Sequence, residues 1–200
     1  EKIVDVRQPF ELPDKRIVLL QGVEDFGTIP TLADFNHEEI ADNSQFIGGE
    51  TQGLKRLNYY FGNKQLLSNF KRTRDGMMGM DYSSKFSPWL ALGCLSPKLI
   101  FQKLSEFEIE NGKSDSSHCL FTELMWRDFY RLMAKKHGNL IFQKGGVKQE
   151  QNPELKDHKD LFKIWAEGRT GIPLIDANMT ELNSTGFMSK RGRQNVASFL

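Results

Sequence analysis

The sequence predicts an all-α body behind an extended leader, and three observations carry that reading. From about residue 50 onward, apolar residues recur at three- and four-residue spacing, with no convincing strand-like alternation. Serine–proline pairs and glycines bracket these stretches where helices start and stop. Residues 1–46, by contrast, hold Pro9, Pro13 and Pro30 without sustained periodicity. They are expected to form an extended linker with a short helix near Leu32–Phe35.

The helices follow in order. Glu50 to Phe61 places Leu54, Leu57, Tyr60 and Phe61 at helical spacing, and a second helix is expected over Lys64–Phe70. Residues 71–82, with Gly76 and Gly79, read as a loop. Ser87-Pro88 has the form of an N-cap followed by proline in the first turn, and Ser96-Pro97 repeats it to open a helix reaching about Phe107. After a polar loop over 109–117, a strong helix runs from about Ser117 to His137 and is closed by Gly138. A Gly- and Gln-rich loop over 143–157 precedes a helix at about Lys159–Glu167. Pro173 starts another that reaches about Leu182 and is closed by Gly186. The final basic segment opens one more helix near Ser189.

Composition excludes several classes. Two hundred residues suffice for one domain with a substantial core. No apolar run approaches the ~18 residues of a membrane span. The opening residues lack a signal-peptide pattern. Cys94 and Cys119 have no metal-ligand spacing, and the four histidines are scattered, so neither a zinc site nor a disulfide framework is expected. No P-loop and no G-x-S-x-G elbow is present. Charge is uneven: residues 1–46 hold ten Asp/Glu and four Lys/Arg, net −6, and residues 47–200 hold sixteen and twenty-three, net +7. A mild basic excess permits phosphate or nucleic-acid binding without establishing it.

Three stretches carry candidate chemistry. The helix CLFTELMWRDFYRLM is apolar nearly all round and is expected to be largely buried, yet Glu123, Arg127 and Tyr130 share one face. Buried charges need partners or a ligand. Either Glu123 and Arg127 pair with each other, or they form a polar seam lining a cavity with Trp126 as a flat wall. Ser83, Ser84, Lys85, Phe86 and Ser87 bring hydroxyls, a cation and free N–H groups to a helix start, which suits an anion. Plain capping by Ser87 is the alternative. In SKRGR, Lys190, Arg191 and Arg193 crowd the first turn of a helix, the unfavourable end for cations unless an anion is near. A solvated basic corner is the alternative there.

GGETQGLKRL, DYSSKFSPWLALGCLSP, ELMWRDFYR, GRTGIPLIDANMTEL and STGFMSKRGRQNVASFL together resemble the flavin-binding domain of the photolyase/cryptochrome family, in forms most similar to its cryptochrome DASH branch. The resemblance covers residues 48–200, and the leader is similar to the family's interdomain connector. The expected organisation is a connector over 1–46 and the N-terminal part of an α-helical FAD-binding domain over 47–200, preceded in the intact protein by an α/β antenna domain. What it implies is blue-light-driven repair of cyclobutane pyrimidine dimers, in single-stranded DNA for the DASH branch, by an electron from reduced FAD. Flipping a base from a single strand costs less stacking and pairing. The alternative is a non-repairing blue-light photoreceptor that binds DNA. An antenna chromophore, folate or deazaflavin, would sit in the absent domain. The expected state is a monomer without membrane contact, cytoplasmic in a bacterium, organellar or nuclear in a eukaryote.

The resemblance also assigns roles. Ser83, Ser84, Lys85, Phe86 and Ser87 wrap the flavin diphosphate and ribityl chain. Phe70, Arg127 and Arg193 lie near the flavin. Glu123 hydrogen-bonds the dimer and Trp126 stacks on it. Arg74, Arg191 and Tyr130 face DNA, and Lys190 touches flavin and substrate. Three positions depart from the family pattern: Lys190 replaces an asparagine, Phe70 a tyrosine, and Leu155, ten residues before Trp165, an electron-transfer tryptophan. The chain is expected to stop inside a helix, with Val196, Phe199 and Leu200 packing on helices it does not contain, and to hold FAD weakly or not at all in isolation.

Overall fold

The structure, a computed structural model, describes residues 46–63, 66–149 and 158–200 together with positions 28, 30 and 34. The chain divides into two units, Glu1–Gln45 and Phe46–Leu200. The leader's expected conformation, the helix near Leu32–Phe35 apart from Asp34, and Leu155 lie outside the described residues.

Among the described residues the second unit holds eight α-helices and no strand, as the periodicity predicts. They are α1 (Glu50–Asn58), α2 (Phe70–Thr73), α3 (Ser87–Ala91), α4 (Pro97–Asn111), α5 (Asp115–His137), α6 (Lys159–Ala166), α7 (Pro173–Thr185) and α8 (Lys190–Phe199). A wide π turn, Tyr59–Asn63, continues α1, and 3₁₀ turns at Leu66–Asn69 and Gly138–Phe142 precede α2 and follow α5.

Local chemistry explains most boundaries. Ser96 caps α4 by accepting a hydrogen bond from the Lys98 N–H, with Pro97 in the first turn. Gly138 ends α5, and Gly186 ends α7 in the left-handed conformation at φ 70°. Three starts differ from expectation: the helix expected over Lys64–Phe70 is a 3₁₀ turn at Leu66–Asn69 and then α2 from Phe70. α5 begins earlier than Ser117, because Ser114 and Ser117 form a reciprocal capping box and Ser117 also donates to Glu108 at 2.6 Å. At α3 the N-cap position belongs to Phe86, and Ser87 is the first helical residue without a capping bond. The turn through Lys85 at φ 59° brings the chain into helical geometry before Ser87 is reached.

Two apolar clusters hold the unit together. The larger packs Leu57, Tyr60, Leu67, Phe70, Phe86, Trp89, Ile100, Leu104 and Leu120 among α1–α5. The smaller packs Ile175, Met179, Met188 and Val196 with Trp165 among α6–α8. Phe46 packs on the larger cluster, its ring 5.6 Å from Trp89, and also meets the Phe187 ring at 4.8 Å. Val196 therefore packs inside this chain, contrary to expectation: the Trp165 indole N–H donates to its carbonyl at 3.0 Å and α7 covers it. Phe199 and Leu200 are exposed. So are Met125, Trp126, Phe129, Tyr130 and Leu132, which corrects the expectation that α5 is largely buried. α5 is apolar on more faces than α2 and α4 can cover.

Candidate functional site

The site begins with Arg56 on α1. Its guanidinium donates to the carbonyls of Met80 (2.8 Å), Ser83 (3.0 Å) and Ser84 (3.0 Å) and to Asp81 Oδ1 (3.2 Å). Tyr59 donates to the other Asp81 oxygen at 2.9 Å. A loop with little regular structure is thereby fixed from beneath, and the segment 83–87 is presented along one wall of a cavity of about 580 Å³. That volume lies within the ordinary range for small-molecule and cofactor sites.

Three other elements complete the cavity. α2 and its end contribute Phe70, Arg74 and Asp75; α5 contributes Leu120, Glu123, Leu124 and Arg127; and the start of α8 contributes Lys190, Arg193 and Gln194 after Phe187 and Met188. Positions 120, 123, 124 and 127 form a single stripe of α5, as i, i+3, i+4 and i+7 must. Trp126 lies to the side of that stripe and is not part of the lining, so the flat-wall expectation is corrected. It stacks instead on Tyr130 (5.8 Å) and meets Phe129 edge-on (5.5 Å), on the exposed part of α5. Tyr130 and Arg191 also lie outside the lining.

Glu123 and Arg127 do not pair. Arg74 Nη1 reaches Glu123 Oε1 at 2.6 Å, Lys190 Nζ reaches both Glu123 oxygens at 3.3 and 3.1 Å, and Arg127 turns to Asp128 at 3.3 Å. Arg191 pairs with Asp75 at 2.8 Å. α8 starts at the expected place, and Ser189 caps it by accepting from the Gly192 N–H at 2.9 Å. Two of the three cations in that first turn are thus answered by carboxylates. The third, Arg193, lines the cavity and donates from Nε to the Met188 carbonyl at 3.1 Å.

Lys85 is the least conventional member. It is buried, 5% exposed, and its ammonium lies 3.6 Å from the Tyr82 ring centre and 4.4 Å from that of Phe187. Burial pushes its pKa down to about 8; Glu181 raises it, while Arg56 and Arg193 lower it further. Desolvation also raises the Tyr82 phenol. The wall thus carries five cations, Arg74, Lys85, Arg127, Lys190 and Arg193, against the carboxylates of Glu123 and Asp75. Three serines and apolar surface from Phe70, Phe86, Phe187, Leu90 and Leu120 complete it. This donor set suits a ligand with a multiply charged phosphate and flat rings. Sequence reasoning missed Arg56, Tyr82, Asp75 and Phe187, which gain their roles only by spatial convergence. Among the described residues no His/Cys/Asp/Glu group could hold a metal, and no helix is long and apolar enough to cross a membrane.

Comparisons with known proteins agree. Residues 120–200 match the family described as the FAD binding domain of DNA photolyase. The cryptochrome DASH of Synechocystis sp. is 54% identical over 167 residues, covering 84% of this chain and 33% of that protein. The crystal structure of a Synechocystis cryptochrome superposes with a TM-score of 0.79 at 52% identity, over 86% of this chain and 36% of that one. A bacterial class III photolyase from Agrobacterium tumefaciens gives 0.71 at 27% identity, over 86% and 34%. The chain spans about a third of the length of these relatives.

Proposed function

Because the chain belongs to the photolyase/cryptochrome family, within its FAD-binding region and alongside cryptochrome DASH relatives, we propose that the intact protein is a FAD-dependent, blue-light-driven lyase that splits cyclobutane pyrimidine dimers in single-stranded DNA. The observation that carries the reading is the cavity. It joins the segment 83–87, the Glu123–Arg127 stripe of α5 and the cationic start of α8 in one space.

The residues fit the cofactor. Lys85 and Arg193, with the hydroxyls and N–H groups of 83–87, would hold the diphosphate, and Phe70, Phe86, Leu90 and Leu120 would flank its rings and exclude water. Reduced flavin, when bound, supplies an electron on excitation by blue light. Glu123 would accept a hydrogen bond from a pyrimidine N–H of the flipped dimer. Trp126 and Tyr130, exposed beside the cavity, offer stacking surface to bases, and Arg74 and Arg191 attract the backbone. The net reaction opens one cyclobutane ring into two pyrimidines and consumes no electrons. An antenna chromophore, folate or deazaflavin, would belong to another part of the intact protein.

One observation favours a second reading, a flavin- and DNA-binding photoreceptor without repair: Lys190 already occupies the carboxylate the substrate would need. The complete protein, reduced and illuminated with blue light on a dimer-containing oligonucleotide, separates the two. Loss of dimer only in the light supports repair. Stoichiometric flavin and DNA binding with the dimer intact supports the photoreceptor.

A further inference from the structure

Lys190 reaches from the first residue of α8 to α5, and its ammonium contacts both oxygens of Glu123, at 3.3 and 3.1 Å. Arg74 takes Oε1 as well, at 2.6 Å. A carboxylate offers about four lone-pair sites, so these three contacts fill Oε1 and leave one site, on Oε2 beside the ammonium. Lys190 and Glu123 both line the cavity, and their side chains are 64% and 30% exposed. The pair therefore sits at the cavity rim, in contact with solvent. Arg191–Asp75 beside it, at 2.8 Å, anchors the same turn of α8 to the end of α2.

We propose that Lys190 is a gate that sets selectivity through Glu123, an inference that rests on the reading above. A neutral pyrimidine edge competes with the ammonium for Oε2, and taking its place exchanges a charge-assisted contact for a weaker one. Lys190 thus acts as a positioning residue: it holds Glu123 away from the substrate until the pair opens. Because the pair is solvent-exposed, salt screens it and eases the gate.

The test uses the complete, flavin-loaded protein and two oligonucleotides of equal length, one with a single cyclobutane thymine dimer and one undamaged. The ratio of their affinities cancels the backbone's own salt dependence, which is common to both. In the wild type this ratio rises between low and high salt. In Lys190→Asn it is higher at low salt by roughly 2- to 5-fold, the scale of an exposed ion pair, and flat with salt. Lys190→Arg, which keeps the charge, retains the wild-type slope. Discrimination in Lys190→Asn that equals the wild type at every salt concentration overturns the gate while leaving the repair reading intact. Loss of flavin from Lys190→Asn overturns it by making Lys190 a cofactor ligand. Absence of discrimination in both proteins overturns the gate and the reading beneath it.

Discussion

Replacing Lys85 by methionine should stabilise the ligand-free protein. The ammonium is buried beside Tyr82 and Phe187, with no carboxylate hydrogen-bonded to it among the described residues. Its pKa falls from the ordinary 10.5 to about 8. Each unit is worth about 1.4 kcal/mol, so the charged form costs the fold about 3 kcal/mol, an upper bound because the tip borders a cavity. Cation–π attraction returns about 1 kcal/mol. Lys85→Met should therefore gain about 2 kcal/mol at pH 7 in urea unfolding, while weakening pyrophosphate or FAD binding. The pH dependence has a definite sign. Below pH 8 lysine is protonated in both states and the full penalty stands. Between pH 8 and 10.5 the unfolded chain binds more protons than the folded one, so wild-type stability rises with pH. Above about pH 10 the phenols of Tyr60 and Tyr82, both raised by burial, act in the opposite direction. Relative to Lys85→Met, the wild type should recover stability from pH 8 to 10. A variant that is less stable at pH 7, or a difference that does not change with pH, would refute the reasoning.

Three further outcomes are expected. Arg56→Met strips four hydrogen bonds from the loop at 80–84 and should cost about 3 kcal/mol, with faster proteolytic cleavage near that loop. Gly192→Ala places a methyl against Asn178 Oδ1 and 3.0 Å from Met188 Cγ, so both side chains must turn aside and the Asn178 amide is pulled from the Leu174 carbonyl; a loss of about 1 kcal/mol should appear in thermal unfolding. Trp126, 48% exposed, should tolerate alanine within about 1 kcal/mol of stability, yet binding of single-stranded oligonucleotide should weaken by about 1–3 kcal/mol in a titration, the value of one stacked base.

Much of the fold was legible because its signals are local. Ser96-Pro97, Gly138 and Gly186 act on their own backbone, and the structure uses each one at the expected place. The errors arose where a neighbour in space competes with a neighbour in sequence. Ser87 lost the capping position to the turn through Lys85, and α5 started at the Ser114–Ser117 box. The Glu123–Arg127 pair, four residues apart, did not form, because Arg74 and Lys190 approach Glu123 from 49 and 67 residues away. The roles of Arg56 and Phe187 have no local signature at all.

By itself, then, the sequence determined the all-α class and most helix ends, since periodicity and capping are properties of short segments. Only the tertiary structure decided the partners of the charges. An ion pair depends on the distance between groups, and side chains on α2, α5 and α8 acquire that distance only when the helices pack.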